Sequence, residues 1–445
     1  MLSARSHLLA LYGTNSIIKF NDICKNSKRL SIYFQFGSKE GKLVETKSGF
    51  VKGVISLSRD GREFYEWVGI PYANPPVGNL RFASPQPISP WNGILDSSRY
   101  GSRCPQIDPF SLFIVGDEDC LSLNIHAPKI EGGGKNLPVM IYIHGGGYNT
   151  MGSFDYRPHY FMDEDVILVT FNYRLGILGF TSTGDKSIRG NMGLKDQTLA
   201  LKWIKQNIQS FGGNPDEITI FGESAGGASV HYQMLSPSSK GLFQRAISLS
   251  GVATDPWSID PMEVTKRRTE ELAQKVNCPS HDSQELVMCL RSRSWRELLN
   301  ADVNEMATFY ILYPHKQGRL FAPTIEAVSD SEAFLTRHPL NILENGLAHR
   351  VPWITGVVAD EGLLPAACFY TRPETMESYE SKWKENTMRA IGIQHNYSNN
   401  SELTDKIWEY YFPASRNLNI QFKQDQYKKL MSDVSFNFNM HHAAS

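Results

Sequence analysis

Ser224 stands in the pentapeptide Gly222-Glu223-Ser224-Ala225-Gly226, directly after the short apolar run Ile218 to Phe221 and directly before the small residues Gly227, Ala228 and Ser229. The apolar run reads as a buried strand and the small residues as the first turn of a helix, which puts the serine on a tight strand-to-helix turn. Such a turn pushes the hydroxyl out of the end of a sheet, and its flanking glycines are needed because a side chain there would strike neighbouring backbone. The helix N-terminus then aims free N–H groups and the positive end of its dipole at any charge that forms on the attacked group. A second pattern fits the same chemistry. His144-Gly145-Gly146-Gly147-Tyr148 follows the run Val139 to Ile143, and successive glycines let main-chain N–H groups approach a substrate oxygen unobstructed. The N–H groups of Gly146, Gly147 and Ala225 are the expected oxyanion hole. A phosphate-binding loop is the competing reading, but it would carry Lys and then Ser or Thr where this chain has Tyr148-Asn149. The chemistry indicated is acyl transfer, with His144 expected to orient the glycine loop rather than to act as the base.

The elements that must position these groups follow from apolar patterning. Val139 to Ile143, Val166 to Phe171, Ile218 to Phe221 and Ala246 to Leu249 are brief, nearly continuous apolar runs, as in strands buried on both faces of a parallel sheet. Between them, Asp196 to Phe211 carries Ala200, Ile204, Ile208 and Phe211 at helical spacing, with Gly212-Gly213 as the stop. Asp260-Pro261 reads as N-cap and first-turn proline of a helix through Leu272 to Val276. Lys42 to Val54 and Arg62 to Val68, separated by Ser-Arg-Asp-Gly, read as an antiparallel start. Strands alternating with helices define an α/β class with a central, mostly parallel sheet flanked by helices. The expected division is an N-terminal extension over 1–41 and one catalytic domain over 42–445.

Composition removes several classes. With 445 residues, 41% hydrophobic and 20% charged, the chain has the make-up of a folded protein. Lys+Arg 45 against Asp+Glu 46 lacks the basic excess of a nucleic-acid binder, and no apolar run is long enough to span a bilayer. Met1 to Gly13 has only a short apolar patch at Leu8 to Leu11, a poor match to a signal peptide. Of the cysteines, Cys104/Cys120 and Cys278/Cys289 form two local pairs that an oxidising compartment would close, the alternative being four separate buried thiols. Cys24 and Cys368 have no evident partner, and no spacing suggests a metal site, so no metal or cofactor is expected. Asn396 and Asn399 head two glycosylation sequons, which together with the cysteine pairs favour secretion.

Taken together, these motifs resemble the type-B carboxylesterase/cholinesterase family of α/β-hydrolases, and most of all insect carboxylesterases. Further landmarks match in order: Gly69-Ile70-Pro71-Tyr72-Ala73, Pro75-Pro76-Val77-Gly78, Leu80-Arg81-Phe82, Glu118-Asp119-Cys120-Leu121-Ser122-Leu123-Asn124, Asn172-Tyr173-Arg174 and Gly190-Asn191-Met192-Gly193-Leu194-Lys195-Asp196-Gln197. The resemblance implies an α/β-hydrolase fold, disulfides Cys104–Cys120 and Cys278–Cys289, and ion pairs Arg81–Glu118 and Arg174–Asp196. It also implies a triad acid in the Glu-Gly pair of Val357-Val358-Ala359-Asp360-Glu361-Gly362; Glu361 is the candidate, with Asp360 a neighbour that residue type alone does not exclude.

The base is the missing member. Only His395, His441 and His442 follow Glu361, and none has the His-Gly or His-x-Asp setting followed by an apolar segment that the family shows. The resemblance therefore implies a base past Ser445, a C-terminally truncated chain without the last strand or strands and closing helix, and weak ester hydrolysis by residues 1–445. Without one triad member, oxyanion hole and binding alone leave about 10³–10⁴-fold over water. Two classes remain: a serine carboxylesterase acting on small-molecule esters, and a non-catalytic adhesion protein of the same fold. Retention of Ser224, the glycine loop and Glu361 favours the first. Neither the particular ester nor the oligomeric state is readable.

Overall fold

A computed structural model describes residues 40–132, 136–307, 321–372, 374–390, 401–413 and 419–445. His395, Asn396 and Asn399, Cys24 and the 1–39 part of the expected extension lie outside the described residues. Ten strands form one sheet: β1 (Glu40–Thr46), β2 (Gly49–Leu57), β3 (Glu63–Pro71), β4 (Ile94–Asp96), β5 (Ser122–Pro128), β6 (Leu137–Ile143), β7 (Ile167–Phe171), β8 (Gly213–Glu223), β9 (Arg245–Leu249) and β10 (Trp353–Gly356). Their order is β1-β2-β3-β5-β7-β6-β8-β9-β10, with β4 paired to β2.

The sheet is mixed. Pairings are antiparallel from β1 to β7 along this path and parallel from β7 to β10. The segment Lys42 to Val54 of the antiparallel start is two strands rather than one, because Thr46 Oγ1 accepts from Ser48 N (3.1 Å) and Gly49 N (3.2 Å) and turns the chain. In the parallel block, β7 is buried at every residue, as its continuous apolar run implies. β6, β8 and β9 instead alternate buried and partly exposed positions, so the expectation of burial on both faces holds for β7 and not for them. β10 forms an edge among the described residues, with Ile354 65% exposed.

The expected helix before β8 spans Met192–Asn207 and continues as a tighter turn over Ile208–Phe211. It starts one turn before the expected Asp196, because Asn191 takes a left-handed conformation at its N-cap (φ 58°) and the first-turn residues are already buried. Gly212 stops it at φ 94°, a conformation in which glycine alone is unstrained. The helix after Asp260-Pro261 spans Met262–Lys275. Its N-cap is Pro261, not Asp260, whose carboxylate is instead held by Arg268 at 2.7 Å.

Leu194, Leu201 and Ile204 of the Met192–Asn207 helix, with Ile141, Ile143, Val169, Ile218 and Ile220 from the strands, belong to one continuous core. A separate cluster around Phe369, Tyr427 and Leu430 joins the C-terminal helices. Both cysteine pairs are disulfides, with Cα separations of 5.0 Å for Cys104–Cys120 and 5.6 Å for Cys278–Cys289; the alternative of separate thiols is set aside. Cys368 is a buried free thiol.

Candidate active site

In the parallel block the chain moves from β6 to one side, into β7, and from β8 to the other, into β9. The carboxyl ends of β6 and β8 therefore flank the point where strand order reverses, the place where open α/β sheets bind ligands. Both sequence motifs lie there: the glycine loop follows β6 and Ser224 follows β8.

Ser224 has φ 58° and ψ −126°, a conformation costly to any residue with a side chain. It is held in place from three directions. Its N–H donates to Leu249 O (2.8 Å) at the end of β9, and its carbonyl accepts from Ala228 N (2.9 Å) in the helix Ala225–Leu235. Backbone crowding fixes the rest. A Cβ on Gly226 would lie 2.0 Å from Ile143 O, one on Gly222 2.5 Å from Gly226 backbone, and one on Gly251 2.2 Å from Ser224 O. The glycines are thus required by close approach of β6, β8 and the loop after β9. As the first residue of its helix, Ala225 has an N–H with no intrahelical acceptor, beside the serine.

Gly146 and Gly147 take φ 97° and 60°, which turns the loop sharply after Gly145. Asn149 N and Thr150 N donate back to Gly146 O (3.0 and 3.1 Å), closing the turn. His144 lies behind this loop, stacked on Tyr173 at 4.3 Å with its Nδ1 2.9 Å from Gly145 O. Burial pushes its pKa down to about 4, so the ring is neutral at physiological pH. Its contacts are with Gly145 O and Tyr173, and none is with Ser224.

The Asn-Tyr-Arg segment after β7 buttresses the same loop. Tyr173 Oη donates to His144 O (2.9 Å), and Asn172 Nδ2 donates to Cys120 O (3.1 Å). Arg174 donates Nε and Nη2 to Asp196 at 2.8 and 2.7 Å, both side chains being buried. Arg81 likewise forks onto Glu118 at 2.6 and 2.5 Å.

Glu361 follows β10, and its Oε1 accepts from Val358 N at 2.9 Å. Asp360 turns away to Lys428 at 2.8 Å, and Gly362 N donates to Ser432 Oγ at 2.7 Å, which separates the two acids that sequence left side by side. Two further carboxyls share the Glu361 field and were not picked out from sequence. Desolvation raises the pKa of Glu223, the residue before the serine, and the Glu361 charge raises it further. Asp255, fully buried after β9, is pushed well above the ordinary carboxylate range by burial, opposed by the Val252 N–H and reinforced by Glu361. Its Oδ2 accepts from Val252 N (2.8 Å), while Oδ1 has no partner. Glu223 was legible as part of the pentapeptide; Asp255, more than thirty positions on, carries no local signal.

Among the described residues no histidine bonds to Ser224 or Glu361. His231 is buried against Trp353 with its Nδ1 accepting from Ala253 N, and His441 and His442 are exposed on the helix Phe438–Ala444. The described residues also contain no group of three or more His, Cys, Asp or Glu arranged to hold a metal ion. No described helix is long and apolar enough to cross a membrane.

A serine-bearing strand-to-helix turn opposite a glycine loop, at the switch point of a sheet that becomes parallel, defines an α/β-hydrolase. Comparison with known proteins agrees: the carboxylesterase family profile matches residues 40–445, and the chain belongs to that family of carboxylic ester hydrolases. It is 40% identical over 391 residues to a carboxylic ester hydrolase of Bombus ignitus, covering 86% of this chain and 68% of that protein. It is also 40% identical to the juvenile hormone esterase of Tribolium castaneum, covering 83% of this chain and 63% of the relative. The crystal structure of juvenile hormone esterase from Manduca sexta, with OTFP covalently attached, superposes with a TM-score of 0.76 at 29% identity, covering 90% of this chain and 74% of that one.

Proposed function

We propose that Ser224 is the nucleophile of a serine carboxylesterase. Its hydroxyl oxygen attacks the ester carbonyl carbon, the alcohol leaves, and water releases the acid from the acyl-enzyme. The N–H groups of Gly146, Gly147 and Ala225 receive the oxyanion, and Glu361 is the acid that orients and stabilises the protonated base. No described histidine bonds to Ser224 or Glu361, so no base is assigned, and a polypeptide of residues 1–445 is proposed to be slow. The observation that carries the reading is the strained backbone of Ser224 at the carboxyl end of β8, which has no structural use unless its hydroxyl must be presented. We also propose secretion, supported by the two disulfides and by a venom carboxylesterase of Apis mellifera among the relatives, glycosylation at Asn396 and Asn399, and a domain beginning near residue 42.

The test is intact-mass and peptide mass spectrometry of residues 1–445 after exposure to a fluorophosphonate and to p-nitrophenyl acetate. One adduct per chain is expected, slow to form, located on Ser224 and absent from Ser224→Ala. Labelling at another residue overturns the nucleophile; turnover equal to that of an intact triad enzyme overturns the account of the base.

A further inference from the structure

The disulfide-closed loop Cys104–Cys120 is built inside out. Its polar residue Asp108 faces inward: Oδ1 accepts from Phe110 N (3.1 Å), Ser111 N (2.8 Å) and Ser111 Oγ (2.9 Å). Asp108 N donates to Phe113 O (2.9 Å) and Leu112 N to Asp108 O (2.8 Å), above a short hairpin of Gln106–Ile107 with Ile114–Val115. Arg103 roots the turn, reaching Asp108 at 3.2 Å and Asp155 at 2.6 Å. Ile107 is buried and Ile114 packs against the core, but the three apolar side chains of the tip point the other way. Phe110 is 79% exposed, Phe113 68% and Leu112 41%, the last at φ 60°, a conformation a leucine rarely holds.

A loop that satisfies its own polar groups and keeps two phenylalanines and a leucine in water is a ready-made apolar tip, and inserting it elsewhere requires no further ordering. Its flanks carry positive charge. Arg296 is exposed, lies over Trp295 at 4.2 Å and makes one long bond to Ile114 O (3.4 Å). Arg157 is exposed over Phe154 at 4.3 Å, and Phe154 also meets Arg103 at 5.0 Å. Neither Arg157 nor Arg296 forms a salt bridge among the described residues, although Arg157 also lies over Tyr100 at 4.7 Å and within the fields of Glu66 and Asp155. The acids Asp117 and Asp119 stand beyond Gly116, toward Cys120.

We propose that Phe110, Leu112 and Phe113 insert into an anionic lipid surface whose headgroups meet Arg157 and Arg296. Aromatic side chains settle at the water–hydrocarbon boundary, and a small apolar anchor needs a second, electrostatic attraction to hold, which these arginines supply. A second copy of the chain is a poorer occupant, because an isologous contact through the tip would set the same arginines against each other. This inference is independent of the Ser224 chemistry.

The test is co-sedimentation of the full 445-residue chain with vesicles of phosphatidylcholine alone and of phosphatidylcholine with phosphatidylserine in equal parts. The wild type is expected to bind the mixed vesicles more strongly. Phe110→Ser with Phe113→Ser should lower the partition coefficient about tenfold or more on both. Arg157→Gln with Arg296→Gln should remove only the preference for the anionic surface. All four side chains are exposed, so thermal melting of both variants should match the wild type and exclude misfolding. Absence of wild-type binding to either vesicle overturns the proposal, as does unchanged binding by the serine variant. A wild-type dimer that the serine variant converts to monomer, by light scattering, overturns it in favour of a second copy.

Discussion

Replacing Arg174 by Met should destabilise the protein severely without touching the nucleophile turn. Asp196 is completely buried and takes three donations from Arg174, from the backbone N–H (3.0 Å), Nε (2.8 Å) and Nη2 (2.7 Å). Methionine occupies much of the arginine stem's space but leaves the carboxylate with the backbone bond alone, and also frees Ala83 O, which Arg174 Nη1 holds at 2.8 Å. Stranding one partner of a buried ion pair costs about 3–5 kcal/mol, whereas replacing both by apolar residues is often near neutral. At about 2.1 cal/mol/K of unfolding entropy per residue, a domain spanning residues 40–445 shifts about 1.2 °C per kcal/mol, so the variant should melt roughly 4–6 °C below the wild type. Arg174→Met with Asp196→Leu should recover most of that loss. The assay is thermal unfolding by circular dichroism at one protein concentration and scan rate, completed as a double-mutant cycle. A single variant that melts within about 2 °C of the wild type would falsify the reasoning, as would a double variant whose loss equals the sum of the two singles.

Gly226→Ala should place a methyl 2.0 Å from Ile143 O, where only backbone can yield, so fluorophosphonate labelling of Ser224 should fall to background; labelling at the wild-type rate would show that the turn tolerates a Cβ. Removing Cys278–Cys289 by two serines should cost about 2–4 kcal/mol and lower the melting temperature, read by calorimetry against the oxidised wild type. For Asp255, burial raises the folded-state pKa above the unfolded value, so the neutral acid is favoured by folding. Stability is therefore greatest below the unfolded pKa and declines as pH rises toward the folded value, by up to about 1.4 kcal/mol per pH unit. Asp255→Asn keeps the acceptor for Val252 N without a charge, so it should melt higher than the wild type at pH 8 and converge with it near pH 4; a constant gap across that range would exclude the titration.

Much of this site was legible because its chemistry depends on local backbone. The glycines around Ser224 and after His144 are forced by contacts within a few ångströms, so their pattern survives in sequence as a motif. The parallel strands were legible for a related reason, since flanking helices demand short apolar runs. What failed involved choices between competing partners. Asp260 looks like a helix cap until Arg268, two turns away, claims its carboxylate. The helix start at Met192 depends on Asn191 adopting a left-handed turn while its Oδ1 accepts from Thr324 N (2.9 Å), an acceptor contact across 133 positions. Asp360 and Glu361 are equivalent by type, and only Lys428 on a later helix turns one of them outward.

The convergence of Glu223, Asp255 and Glu361 belongs to the same class of long-range fact. Glu223 ends β8, whereas Asp255 follows β9 and Glu361 follows β10, and parallel pairing brings the carboxyl ends of these strands to one side of the sheet. The Glu361 charge makes ionisation of both neighbours harder, so the three carboxyls lie within one another's field. Acyl transfer from a serine moves a proton onto a base and so creates a cation next to the nucleophile. At an effective dielectric near 20, unit charges about 4 Å apart attract by about 4 kcal/mol, enough to matter to a barrier of catalytic size. The proposed site is thus charged in the sense that favours the proton transfer it would have to perform. Glu223→Gln tests this separately from Glu361: burial and the Glu361 charge raise the Glu223 pKa, so folding favours its neutral form and the neutral amide variant should melt higher than the wild type at pH 8 and converge with it near pH 4. A gap that stays constant with pH would mean that Glu223 takes no part in the field.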